Sequence, residues 1–252
     1  MITTQMTAEA EAAAQRYTVM LEAWRGLYAN ALSTARFGSE AHISDLLGQA
    51  YAIARRFLET EQVMIADAST RIASEAHRAT LVSLSVTDTQ TLPERVTEHL
   101  GALADYLRSE IAIQIERDIA TLRQSIGRTR LQIALASRAK GVTEQSARLE
   151  IQFGGVGRID FYFHDRRAQK WPSVKFIRAV WRQHLLASYN ETALIDLADH
   201  GIQIAEIWHP SPSSHAHGMR IAMSASTALP TYEEVRNEVF HPNSDAIIQK
   251  AA

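Results

Sequence analysis

The chain has 252 residues, enough for one large or two small domains with a sizeable core, and its composition is that of a globular protein: 46% hydrophobic, 21% charged. A net charge of −2 gives no global pull towards nucleic acid or an anionic membrane, so any such contact must be local. There is no cysteine, which excludes disulfides, thiolate metal sites and a cysteine nucleophile. The N-terminus, MITTQMTAEAEAAAQRY, lacks a basic segment followed by an apolar run, so no signal peptide is expected. No apolar run approaches the ~20 residues of a membrane span.

Proline and histidine change along the chain. Pro93 stands alone before residue 146, and five prolines follow it; seven of the ten histidines lie from His164 onward. This predicts an α+β protein: a helical arm or bundle over 1–145, then a small mixed α+β domain over 146–252.

The first region reads as three long helices. Tyr17, Leu21, Trp24 and Tyr28 recur at helical spacing in an Ala-, Glu- and Leu-rich run that Gly38 and Ser39 interrupt. Leu46, Leu47, Ala54 and Phe57 mark the second segment, which breaks at SVTDTQ. Thr91 and Glu94 in TLPE form a capping-box pattern with Pro93 in the first turn. Leu103, Leu107, Ile111, Ile115, Leu122 and Ile126 then extend an apolar stripe towards Gly141, a helix stop. So long a helix needs something to cover its stripe, which predicts an arm packing on a partner.

In the second region, Leu149, Ile151 and Phe153 alternate before GGVG, and Ile159, Phe161 and Phe163 alternate after it; the expectation is a β-hairpin. The glycines lack a following Lys-Ser/Thr, so a hairpin turn is favoured over a phosphate cradle. An amphipathic helix over 173–201 follows, capped by Ser173 and ended by Gly201. IQIAEIW and MRIAM read as strands, TYEEVRNEVF as a short helix, and HPNSDAII as a turn into an extended segment.

Three groups of residues point to chemistry. His209, His215 and His217 crowd one loop, and with His241 they could ligate zinc or another divalent transition metal, as in a metal-dependent hydrolase or nuclease. No HExxH pattern or adjacent general base accompanies them, and the competing reading is a proline-shaped turn held by hydrogen bonds. His164–Asp165 and Asp199–His200 are acid–base candidates, the second explained equally by a histidine at a helix C-terminus. Arg166, Arg167, Lys175, Arg178 and Arg182 make a locally basic stretch, the last three at i, i+3 and i+7 on one helix face. A second basic run spans Arg117 to Lys140. Such faces neutralise phosphates, pair with acidic protein, or are simply solvated.

The order DRRAQKW…FIRAVWRQHLLASYNETALIDLADHGIQIAEIWHP…SHAHGM…EEVRNEVFHPNS resembles the minor capsid, or head morphogenesis, proteins of tailed bacteriophages, including the Mu-type group. The matching elements are Lys170-Trp171, Arg182, Tyr189-Asn190, Gly201, His215 to Gly218 and His241-Pro242-Asn243. The family often carries cysteines in the histidine loop and after the Asn of the last turn; here Ser244 stands at the latter place. The resemblance implies a non-enzymatic structural virion protein without a cofactor. It implies a place in a multi-copy assembly at the portal vertex or inner capsid wall, beside portal or capsid protein and packaged DNA. The host cytoplasm is its location during assembly.

Overall fold

The computed structural model describes residues 2–34, 37, 39–87, 91–154, 159–224 and 229–251. The protein is α+β. Its helices are α1 (Ile2–Ser33), α2 (Glu40–Ser83), α3 (Glu94–Lys140), α4 (Glu144–Phe153), α5 (Ser173–Asp199) and α6 (Tyr232–Val239). Its strands are β1 (Tyr162–His164), β2 (Lys170–Pro172), β3 (Ile204–Trp208), β4 (Arg220–Ala222) and β5 (Ile247–Lys250). Contacts divide the chain into two compact units, and both draw on residues from either side of residue 146. Unit 1 is 1–13, 61–109 and 178–252; unit 2 is 14–60 and 110–177. Each of α1, α2, α3 and α5 contributes one segment to each unit.

In unit 2 the apolar stripes meet one another. Tyr17, Leu21, Trp24 and Tyr28 of α1 are at most 2% exposed, and so are Ile111, Ile115, Ile119, Leu122 and Ile126 of α3. Polar tips of the aromatic residues fix the register. The Tyr17 hydroxyl reaches Asp118 (2.6 Å) and that of Tyr28 reaches Thr129 (2.6 Å), the same offset twice, so α1 and α3 run parallel. The Trp24 indole donates to the Ala50 carbonyl (3.1 Å) and Tyr17 meets Phe57 edge-on, so α2 runs antiparallel to α1. The stripe expected to need an outside partner is covered by this chain's own helices, because the helical period brings their apolar faces together.

The predicted strand over 149–153 is instead α4. Thr143 caps it, accepting the Ser146 N–H (3.2 Å). Buried Ala147 and half-buried Ile151, four residues apart, pack against Leu32 and Ile133, whereas Leu149 and Phe153 face outward. The apolar period is thus helical; the alternating reading caught its wrong face. Gly155 and Gly157, the expected turn, lie outside the described residues. The hairpin forms further on, where β1 pairs antiparallel with β2. Asp165 builds its turn: one carboxylate oxygen accepts the N–H groups of Arg167 (2.8 Å) and Gln169 (2.9 Å), the other the Trp171 indole (3.2 Å).

Helix ends follow local chemistry. Gly141 and Gly201 adopt positive φ, and the N–H of the residue after each bonds five residues back, to Ser137 and Leu197. Ser85 ends α2 the same way at φ 58°. α3 begins at Glu94, with Pro93 supplying the first carbonyl. Proline disfavours helical geometry at the preceding Leu92. The reciprocal contact appears at α6, where Glu234 accepts the Thr231 N–H (2.8 Å). Ser173 begins α5, but its hydroxyl goes to Asp118 (2.7 Å).

In unit 1, α5 is central. It runs parallel to α2 and antiparallel to α1 and α3, judged from its paired side chains. Beside it lies a three-stranded antiparallel sheet in the order β4-β3-β5, with Ala205 and Ile207 of the middle strand fully buried. Among the described residues, no helix is long and apolar enough to cross a membrane.

Candidate functional site

The chemistry of unit 1 is concentrated on one helix. Arg182, His184, Ser188, Asn190, Glu191, Thr192 and Asp196 of α5 are all buried. Buried polar groups need partners, and each of these has one.

At the N-terminal end of this run, the Arg182 guanidinium donates to the Ser244 carbonyl (3.2 Å), to Asp245 (2.6 Å) and to Thr7 (3.1 Å). Burial lowers its pKa while Asp245 raises it. Gln183 donates to the Phe240 carbonyl (2.7 Å). Two turns on, the Asn190 amide clasps the last strand from both sides, donating to the Ala246 carbonyl (3.4 Å) and accepting the Ile248 N–H (2.9 Å). The Ser244 hydroxyl accepts the Ala246 N–H (3.1 Å), which closes the turn into β5.

Facing α2, His184 meets the Ser69 hydroxyl (2.6 Å), and burial pushes its pKa down to about 4, so it stays neutral at pH 7. Near the helix end, His77 Nδ1 lies 2.8 Å from Asp196 Oδ2. Burial raises the Asp196 carboxyl and the His77 hydrogen bond opposes that rise. Facing α3 and α6, Glu191 receives His99, the Tyr232 hydroxyl (3.2 Å) and the Arg236 guanidinium (3.2 Å). The hydrogen bond to Glu191 raises the His99 pKa. His99, Glu191 and Tyr232 border a pocket of about 530 Å³.

Unit 2 holds a comparable group at Asp118. Asp118 is fully buried and accepts from Tyr17, Ser173 and Gln114, and burial pushes its pKa up to about 6. Three neutral donors hold it, and no cation is bonded to it among the described residues.

The predicted site residues separate. His217 Nδ1 lies 2.8 Å from the His209 carbonyl and His209 Nδ1 accepts the Ser211 N–H (3.0 Å), so both rings brace the β3–β4 loop. His215 is exposed, 3.8 Å from Glu238, and His241 Nδ1 accepts the Asn243 N–H (3.2 Å) within its own turn. Among the described residues, no three His, Asp or Glu side chains are grouped so as to hold a metal ion.

The basic stripe disperses too. Lys175 lies over the Trp171 ring (4.9 Å), Arg178 pairs with Glu11 (3.1 Å), and Arg182 is buried as described. Arg166 and Arg167 are exposed on the Asp165 turn.

Sequence reasoning missed His77–Asp196, Ser69–His184 and the Glu191 hub. A signal existed: His184, Ser188, Glu191 and Asp196 recur at helical spacing on the stripe that should be apolar, and polar residues there demand partners. Which partners, from 92 to 119 residues away, no local pattern tells.

No protein-family model, curated protein or solved structure matches this chain.

Proposed function

We propose that the chain is a structural virion protein of the minor capsid, or head-morphogenesis, type found in tailed bacteriophages. In this reading it acts at the portal or inner capsid wall during head assembly or DNA delivery, by holding partners rather than by turnover. One observation carries it. Segments that bear the resemblance, far apart in sequence, meet in unit 1: Arg182 grips the turn at Ser244 and Asp245, and Asn190 of the Tyr189-Asn190 step clasps the strand that follows. Residues that hold a tertiary joint give a reason for their recurrence without any catalytic role.

The same joint accommodates the departure from the family pattern. Where relatives of that type often carry cysteine, the Ser244 hydroxyl accepts a backbone N–H and its carbonyl accepts from Arg182. Exposed Arg166 and Arg167 offer a local cationic contact for an acidic portal surface or the phosphates of packaged DNA.

The test is co-expression of the tagged full chain with a tailed-phage portal protein and major capsid protein. The expected outcome is a complex that survives gel filtration with one of them. A monodisperse monomer with affinity for neither overturns the reading.

A further inference from the structure

Towards its C-terminal end, α3 carries a second stripe, turned away from the buried one. Leu122, Ile126, Thr129 and Ile133 recur every three or four residues and are buried. Gln124, Arg128, Leu131, Leu135 and Arg138 recur in the same way on the opposite face and are exposed. Leu131 is 60% and Leu135 56% exposed, and one turn apart they form an apolar ridge.

Beside the ridge lies a groove of about 540 Å³. Phe37, Leu131 and Ile133 give it apolar walls, and the small residues Gly127 and Ala134 keep it open; a methyl group on Gly127 would meet nothing within 4 Å. The charge along this part of the helix has one sign. Residues 119–143 include Arg123, Arg128, Arg130, Arg138 and Lys140 and no acidic residue. Lys140 pairs with Glu150, whereas Arg128, Arg130 and Arg138 form no ion pair among the described residues. Glu144 borders the groove and Asp160 a depression shared with Arg128, neither within ion-pair distance of an arginine among the described residues. Cations in the last turn suit the helix dipole, but that leaves Arg128, Arg130 and the two leucines without a reason.

We propose that this face of α3 is a docking surface for an acidic amphipathic helix of a partner protein. Apolar side chains of that helix pack over Leu131 and Leu135, one of them seats in the groove, and flanking carboxylates meet Arg128, Arg130 and Arg138. The ridge and groove decide between anionic partners. A phosphate backbone makes no use of two leucines at the centre of the face. A flat lipid surface does not fill a groove. A second copy of this face sets like charges against each other. The surface lies wholly within unit 2 and is independent of the head-protein reading.

The experiment measures the fluorescence anisotropy of a labelled synthetic peptide of about 15 residues titrated with the full chain. The peptide carries leucine at i, i+3, i+4 and i+7 and glutamate on both flanks. Saturable binding that weakens with salt is expected. A scrambled peptide of the same composition, and one with lysine in place of glutamate, bind at least tenfold more weakly, on the order of one anchor contact. Leu131→Ala weakens binding about tenfold, and Arg128→Gln with Arg138→Gln about fivefold with a flatter salt dependence. All three positions are exposed, so the fold is retained, which circular dichroism checks. Equal binding of the scrambled peptide, or binding unchanged in Leu131→Ala, overturns the proposal. So does no binding, tighter binding of duplex DNA or of phosphatidylserine vesicles than of the peptide, or a dimer of the chain that Leu131→Ala dissolves. None of these outcomes bears on portal or capsid association, the test of the head-protein reading.

Discussion

The two units solve the same problem, covering long helices, with opposite core chemistry. Unit 2 packs aromatic residues against an aliphatic stripe and buries one carboxylate held by neutral donors. Unit 1 threads a polar helix through its centre and satisfies it with charged and imidazole partners on α2, α3 and α6 and the turn before β5. Apolar packing is non-directional, so unit 2 gains its stability from area and shape. A buried polar joint is directional and contributes specificity more than net stability.

The largest expected contrast comes from Trp24→Ala in unit 2. It removes a fully buried indole and its bond to Ala50, and should cost about 3–5 kcal/mol in urea unfolding. A cost under about 1 kcal/mol would show that the aromatic stripe is not what holds unit 2.

Titration should separate the units next. The Asp118 carboxyl is raised from 3.8 to about 6, so it favours the folded state below pH ~4, and that contribution is lost as pH rises through about 6. His184 is lowered from 6.5 to about 4, so its contribution is present above pH ~6.5 and is lost as pH falls through about 4. Each amounts to about 3 kcal/mol, with opposite slope. The raised Asp196 and His99 run in the same sense as Asp118. Asp118→Asn should therefore make stability climb more steeply from pH 4 to 6, and His184→Gln should make it fall. Parallel pH profiles for the two variants would refute the assignment.

The smallest effect is expected at Arg178→Ala. Its pair with Glu11 is half-exposed, so the change should stay within about 0.5 kcal/mol. A loss of several kcal/mol would mean that the basic positions of α5 act together after all.

Particular residues show how much was legible. The three long helices, the stops at Gly141 and Gly201, β3, β4, α6 and the final strand were all readable, because period and capping are local. The region 149–153 reads as a strand because Leu149, Ile151 and Phe153 alternate in sequence, yet in α4 only Ile151 of the three faces the core; Thr143, the cap, is the local cue to a helix. The candidate sites fared differently. A histidine cluster in sequence drew attention to 209–217, yet those rings brace their own loop. The buried pairs use His77 and His184, lone histidines within helices, which carry no motif at all.

The sequence by itself determined the helices, their apolar faces and most of their ends, since these depend on spacing and on residues within a few positions. Tertiary structure alone decided that α3's stripe is covered from within the chain, that Arg182 belongs to a buried joint rather than a basic face, and that His77 of α2 meets Asp196 of α5. The reason is physical: pairing across about a hundred residues depends on which helix faces meet, and that is settled by the packing of the whole chain.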